Sequence, residues 1–252
     1  MVMFRLAPFA LTLLVCACTP NASERPLTIF AASSLTEAFN ELTADFANRS
    51  ARAKPSVSFA GSQVLRLQLA EGAAADVFAS ADASHIEALV ASGRMHDAHV
   101  FAENELVVIV PRSNPASIKR FADLPRASRI VVGSPEVPIG IYTRELLRRS
   151  ETVLGPEFAA EVRSRIVSEE SNVRLVRAKV ELGEADAAIV YRTDVSPGVR
   201  AIEVPRELMV RARYHVGFVG APPHSTEAKE FVAFLASAEG RAVLSKHGFS
   251  TP

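Results

Sequence analysis

The chain contains no tryptophan, only three tyrosines and only two cysteines, Cys16 and Cys18, both within its first eighteen residues. Beyond Cys18 there is therefore no disulfide, no thiol nucleophile and no thiolate metal site. Net charge is absent as well: 28 basic and 28 acidic side chains cancel, which gives no electrostatic case for nucleic acid. The same balance gives no bulk attraction for an anion, so any anion affinity must be local. No Gly-x-Ser-x-Gly elbow, zinc motif or phosphate loop occurs, which leaves common enzyme classes without a nucleophile or a cofactor cradle. No apolar run is long enough to span a bilayer as a stable helix.

The longest apolar run, Leu6 to Ala17, follows Arg5 and is interrupted by Pro8 and Thr12. It reads as the core of a signal peptide, residues 1–17. Val15-Cys16-Ala17-Cys18 is similar to a lipobox, with Val in place of the usual Leu. Cleavage before Cys18 would make that residue a lipidated N-terminus and residues 18–26 a tether. An ordinary signal peptide cut near Ala22-Ser23 is the alternative. Either way the protein is expected to be exported, periplasmic or anchored to a membrane facing outside the cytoplasm. Loss of Arg5 leaves 27 basic against 28 acidic side chains.

About 230 residues remain, enough for one large domain or two ordinary ones. Strand-like runs alternate with helical ones almost throughout. Leu27–Phe30, Val57–Phe59, Asp76–Ala79, Glu105–Val110, Ile130–Val132 and Ala187–Val190 read as strands. Leu35, Phe39, Leu42 and Phe46 recur at spacings of four, three and four, an amphipathic helix. Further helices are expected at 64–71, 85–91, 118–124, 142–149, 158–166, 172–182, 226–236 and 239–246. Such alternation implies α/β lobes built on parallel sheets, with ligands at the carboxyl ends of strands. Leu106–Val110 and Tyr214–Val219 are the candidates for crossing between two lobes.

Five stretches set small hydroxyl residues or a tyrosine where strands run out: Ala31-Ala32-Ser33-Ser34, Phe59-Ala60-Gly61-Ser62, Val137-Pro138-Ile139-Gly140, Ser171-Asn172-Val173 and Ile189-Val190-Tyr191. The first four each open a helix. A helix N-terminus carries unpaired N–H groups and partial positive charge, so four of them converging would cage an anion. Taken singly, Ser34 and Ser62 also fit plain helix N-caps, and Tyr191 a core residue with a satisfied hydroxyl. Asp76 and Asp82 read as loop braces rather than an acid–base pair, and His96 and His99 as a solvated turn rather than metal ligands. Arg66, Arg144 and Arg174 lie a turn or so inside the proposed anion helices, as solvated charges or as ion-steering groups.

With Ala75-Asp76-Val77-Phe78-Ala79-Ser80-Ala81-Asp82 and Val132-Gly133-Ser134-Pro135 added, these stretches make the chain resemble, from Thr28 to Phe249, the periplasmic molybdate-binding proteins. These are substrate-binding components of molybdate ABC importers. The resemblance implies a two-lobed type II periplasmic-binding-protein fold, each lobe a mixed, mostly parallel sheet flanked by helices, with the ligand in the interlobe cleft. It implies a first lobe of residues 27–104 plus 217–252 and a second of 105–216. Position by position, the anion-binding hydroxyls fall on Ser34, Ser62 and Tyr191, and backbone donors on Ile139 and Val173. The implied ligand is molybdate or tungstate, with no other cofactor, molybdenum being held only as the oxyanion. The implied partner is a membrane permease, and the protein is expected to be a monomer and not an enzyme. Gly61 and Gln63 stand where the family often has further hydroxyls, Ile139 replaces a usual alanine, and Ser171-Asn172 replace a common acidic pair. Competing readings are a binder of sulfate, phosphate or ferric ion, an enzyme on the same scaffold, and the effector half of a transcription regulator.

Overall fold

The computed structural model describes residues 25–51, 53–221 and 224–252. The signal-peptide and Cys18 readings concern positions outside them. The first lobe begins with β1 (Thr28–Ala32), a 3-10 turn over Ser33–Leu35 and α1 (Thr36–Ser50). It continues through β2 (Ser56–Ala60), α2 (Ser62–Ala70), β3 (Val77–Ser80) and α3 (Ser84–Ala91). β1 lies between β2 and β3, parallel to both.

A long strand, β4 (Met95–Pro111), then runs out of this sheet. Its first part, Met95 to Glu105, pairs antiparallel with β9 (Arg211–Val219), and β9 also borders β3. From Leu106 onward β4 changes partners, to β7 (Ala187–Tyr191) on one side and β8 (Val199–Glu203) on the other, both antiparallel. The second sheet is completed by β5 (Ile130–Gly133) and β6 (Ile166–Glu170), parallel to each other, with β5 parallel to β7. Helices α4 (Pro138–Leu154), α5 (Pro156–Ser164) and α6 (Val173–Glu181) cover it. β4 and β9 thus tie the two sheets together, and antiparallel strands join the parallel units that the alternation implies.

Burial explains the strand types. Every residue of β7, Ala-Ala-Ile-Val-Tyr, is buried, the continuous apolar run of a strand covered on both faces. Leu106 to Val110 of β4 are buried as well. The tail helices, α7 (Thr226–Leu235) and α8 (Ala238–Lys246), return to the first lobe. There Phe231 meets the edges of Phe39 and Phe46 at ring-centre distances of 6.0 and 5.4 Å. Edge-to-face pairs of this kind contribute about 0.5–1.5 kcal/mol beyond area burial.

Three sequence expectations are corrected. β4 starts ten residues before Glu105, so His96 and His99 lie in a strand opposite Phe218 and Val216, not in a turn. Register shifts between His96 and His99 and between Val100 and Ala102 destroy the period-two pattern that would have revealed it. The helix expected at 118–124 is instead a 3-10 segment, Phe121–Arg126, with Pro125 inside it. Asp123 Oδ2 accepts the N–H groups of Lys119 and Arg120, which fixes a local turn in place of a helix start. β6 and β8, Ile-Val-Ser-Glu-Glu and Val-Arg-Ala-Ile-Glu, are short, partly exposed strands whose charges masked them.

Candidate functional site

Every stretch singled out in the sequence ends at the same place. Ser34, Ser62, Ile139, Val173 and Tyr191 all line one small cavity between the lobes, together with Ala81 and Asn172. It lies where β1, β2, β3, β5, β6 and β7 run out, the carboxyl-end position favoured by ligands of such sheets. Larger grooves on the second lobe are walled by charges already in ion pairs, such as Arg144 with Glu169 and Arg163 with Glu151.

The two serines are not helix caps. Gly61 is the N-cap of α2, and no side chain caps that helix. Ser62 Oγ instead accepts the N–H of Ala81 at 3.1 Å, at the end of β3. An amide N–H can only donate, so this bond uses a lone pair of Ser62 and leaves its proton uncommitted. Ser34 Oγ lies 2.9 Å from the hydroxyl of Tyr214, 180 residues away, and caps nothing. Tyr191 is 1% exposed and its hydroxyl has no hydrogen-bond partner in the protein. Buried hydroxyls are nearly always paired, so this one marks a place for a further acceptor. Burial pushes the Tyr191 phenol well above its ordinary range, helped by Tyr214, Tyr142, Asp82 and Asp194 nearby; it stays a protonated donor.

The second lobe offers backbone. Pro138 opens α4 and has no N–H, so the first amide that can face the cavity is that of Ile139. Gly140 makes this helix start possible: a Cβ there would stand 2.0 Å from the Ser134 carbonyl oxygen. At α6 the cap is Asn172, whose side chain accepts from the N–H of Leu175 at 3.1 Å. That satisfies the third amide of the turn, and Val173, the first residue of the helix, lines the cavity. Ile139 and Val173 line the cavity and have buried side chains.

The lobes meet around the cavity through contacts that the sequence did not announce. Gln63 Nε2 donates to the Ser171 carbonyl at 2.7 Å, and Arg174 pairs with Glu37 at 2.7 Å. Burial alone would raise the Glu37 carboxyl, but the Arg174 hydrogen bond and the charges of Arg174 and Arg177 hold it below its usual range. His85 Nε2 lies 3.0 Å from the Glu136 carbonyl, and Tyr142 donates to the Ala81 carbonyl at 3.2 Å. The approach is close: a Cβ on Gly61 would stand 2.4 Å from the Ser171 oxygen. Gln63, next to the closely approached Gly61, thus forms an interlobe clasp, a role that only spatial proximity reveals. Of the three arginines noted in the sequence, Arg174 crosses the cleft and Arg144 pairs with Glu169. Arg66 acts on His85: burial first, and then the Arg66 charge, hold that imidazole below its usual range against the pull of Asp82. Asp82 accepts from Ser84 Oγ and the His85 N–H, and Asp76 from Arg25 and the Thr28 N–H, so both brace loops. Among the described residues no group of three His, Cys, Asp or Glu side chains could hold a metal ion, and no helix is long and apolar enough to cross a membrane.

The arrangement can present hydrogen-bond donors to something small that only accepts. Known proteins agree in architecture. The molybdate-binding protein ModA of Mycobacterium tuberculosis is 34% identical over 239 residues, covering 92% of this chain and 87% of its own. The substrate-binding domain of a putative molybdenum ABC transporter from Clostridium difficile superposes with a TM-score of 0.68 at 26% identity, over 90% of this chain and 99% of that one. The periplasmic molybdate-binding protein of Azotobacter vinelandii superposes with a TM-score of 0.77 over 90% and 99% of the two chains; at 19% identity it speaks for the fold. The family profile of bacterial extracellular solute-binding proteins matches residues 27–250, and the chain belongs to that family.

Proposed function

We propose that this protein is the extracytoplasmic solute-binding component of an ABC importer and that it captures molybdate, and tungstate with it, for delivery to a membrane permease. The observation that carries the reading is the convergence of three buried hydroxyls and two helix starts on one small cavity. Two of the hydroxyls retain a proton to give, Ser62 because the Ala81 amide can only donate to it and Tyr191 because it has no partner; Ser34 shares a hydrogen bond with Tyr214 in which either oxygen can donate. Molybdate has four acceptor oxygens and no donor at neutral pH, which matches such a lining. The relatives' names supply the choice of metal.

The magnitudes suffice. A hydrogen bond to a charged partner contributes about 1.5–3 kcal/mol net. Five of them total about 7.5–15 kcal/mol, a range that reaches past the roughly 8 kcal/mol of a micromolar complex. Helix N-termini provide compensating partial charge without a buried lysine or arginine. Sulfate has the same shape and charge with shorter bonds, so a cavity with fixed walls loses contacts to it. The interlobe contacts of Gln63, Arg174, His85 and Tyr142 close the cleft over the anion and give the permease a loaded shape to recognise. In this reading Cys18 carries a lipid anchor, the mature protein works as a monomer, and it catalyses no reaction.

Calorimetric titration with molybdate, tungstate and sulfate in turn tests the proposal. Tight binding of the first two with sulfate silent is expected. Equal binding of sulfate would transfer the assignment to a general tetrahedral oxyanion carrier, and no heat from any of the three would refute the anion reading.

A further inference from the structure

Tyr214 is a fully buried polar side chain near the cavity that the proposed ligand set does not use. It lies on the strand β9 that ties the lobes together, packed edge-on against Phe249, Tyr191 and Phe101 at 5.3, 5.8 and 6.4 Å. Its hydroxyl has two neighbours: Ser34 Oγ at 2.9 Å and Asn104 Nδ2 at 3.5 Å. The orientation of the Asn104 amide is settled by its other bonds. Its Oδ1 accepts the Glu105 N–H at 2.9 Å, and its Nδ2 donates to Thr193 Oγ1 at 2.8 Å. The face toward Tyr214 is therefore the NH2 group, which has no lone pair to offer.

A direction of hydrogen bonding follows. Of its two neighbours, only Ser34 Oγ can accept the Tyr214 proton. Burial pushes the Tyr214 phenol well above its ordinary range, so that proton is always present. Ser34 then accepts from Tyr214, and its own proton has one way to go, into the cavity. We propose that Tyr214, oriented by Asn104, is a positioning residue that makes Ser34 a hydrogen-bond donor and thereby restricts the site to oxyanions without protons. A hydrogen-bearing oxyanion such as hydrogen phosphate needs an acceptor, whereas Ser34, with one lone pair engaged by Tyr214 and its proton directed into the cavity, meets the ligand as a donor. The chain Asn104–Tyr214–Ser34 also links the cavity to the point on β4 where the strand leaves one sheet for the other. This inference rests on the anion-binding reading above.

The experiment is a double-mutant cycle on the full protein, titrated with molybdate to millimolar concentration. Tyr214→Phe keeps the ring packing and removes the proton; it is expected to weaken molybdate binding about tenfold, the effect of one hydrogen bond to a charged site. In a Ser34→Ala background the same change is expected to weaken it less than twofold, because Tyr214 acts through Ser34. Hydrogen phosphate, titrated in parallel, is expected to lose no affinity with Tyr214→Phe, which narrows the preference for molybdate. Asn104→Leu is the second variant and is expected to give a smaller loss that also vanishes with Ser34→Ala. An equal loss in both backgrounds would make Tyr214 a packing residue and overturn the proposal, as would an unchanged affinity in otherwise native protein. Absence of molybdate binding by the unaltered protein would overturn the anion reading itself, and this inference with it.

Discussion

The two lobes furnish the cavity by different means. The first presents side chains: Ser34 and Ser62, each held from behind by a bond to another part of the lobe or its connecting strands. The second contributes two helix starts, at Ile139 and Val173, whose main-chain amides the proposal makes donors, and one tyrosine whose hydroxyl nothing in the protein satisfies. A side-chain donor can be deleted by one substitution. A main-chain donor cannot, and depends instead on what places the helix, namely Pro138, Gly140 and the Asn172 cap. The lobes also differ in how they treat a buried carboxylate. Asp82 of the first accepts hydrogen bonds from Ser84 and His85, whereas Asp194 of the second has an Oδ2 without a partner.

That last difference gives a large expected effect. Burial pushes the Asp194 carboxyl up to about 7, against the pull of Arg177 and with a push from Glu37. The folded form then binds a proton more tightly than the unfolded one, so stability is full below the unfolded value of 3.8 and falls as pH rises to about 7. Three pK units correspond to at most about 4 kcal/mol. Chemical denaturation between pH 4 and 8 should show this decline in the native protein and a much flatter profile in Asp194→Asn.

Next, Ile139→Ala should cost about 2–5 kcal/mol of stability, the usual loss for a large buried aliphatic, with anion affinity changed less than threefold because the donor is its amide. A large affinity loss with stability preserved would break the contrast between the lobes. Ser34→Ala and Ser62→Ala should each weaken molybdate by about 1–3 kcal/mol in calorimetry and also lower stability by about 1–3 kcal/mol, because Tyr214 and the Ala81 amide lose their buried partners. Tyr191→Phe should weaken binding by a similar amount yet leave the unliganded protein as stable or more so, since it removes an unpaired buried hydroxyl. The smallest effect belongs to Glu37→Gln. Loss of the Arg174 ion pair at the partly exposed cleft rim should change affinity by about 0.2–1 kcal/mol, and added salt should erase the difference.

The fold was legible wherever strands are apolar and helices amphipathic, as in β7 and α1. It was not legible in the first part of β4, where bulges and the polar residues His96, Asp97, His99, Glu103 and Asn104 break the alternation. The five residues that meet at the cavity were all singled out in the sequence, because strand-to-helix junctions have a local signature. Their support was hidden for the opposite reason. Tyr214 reaches Ser34 across 180 positions and Gln63 reaches Ser171 across 108, and neither pairing leaves a local pattern. The distinction between Ser62 as a cap and Ser62 as a donor likewise depended on the Ala81 amide, which comes from another strand.

The most direct test of the central claim is a crystal structure of the molybdate-soaked protein with the metal located by anomalous scattering at the molybdenum edge. The account predicts one molybdenum atom between the lobes, its oxygens within hydrogen-bond distance of the Ser34, Ser62 and Tyr191 hydroxyls and the Ile139 and Val173 amides. Molybdenum bound anywhere else, or bound in the cleft with Ser34 and Tyr191 turned away from it, would contradict the account.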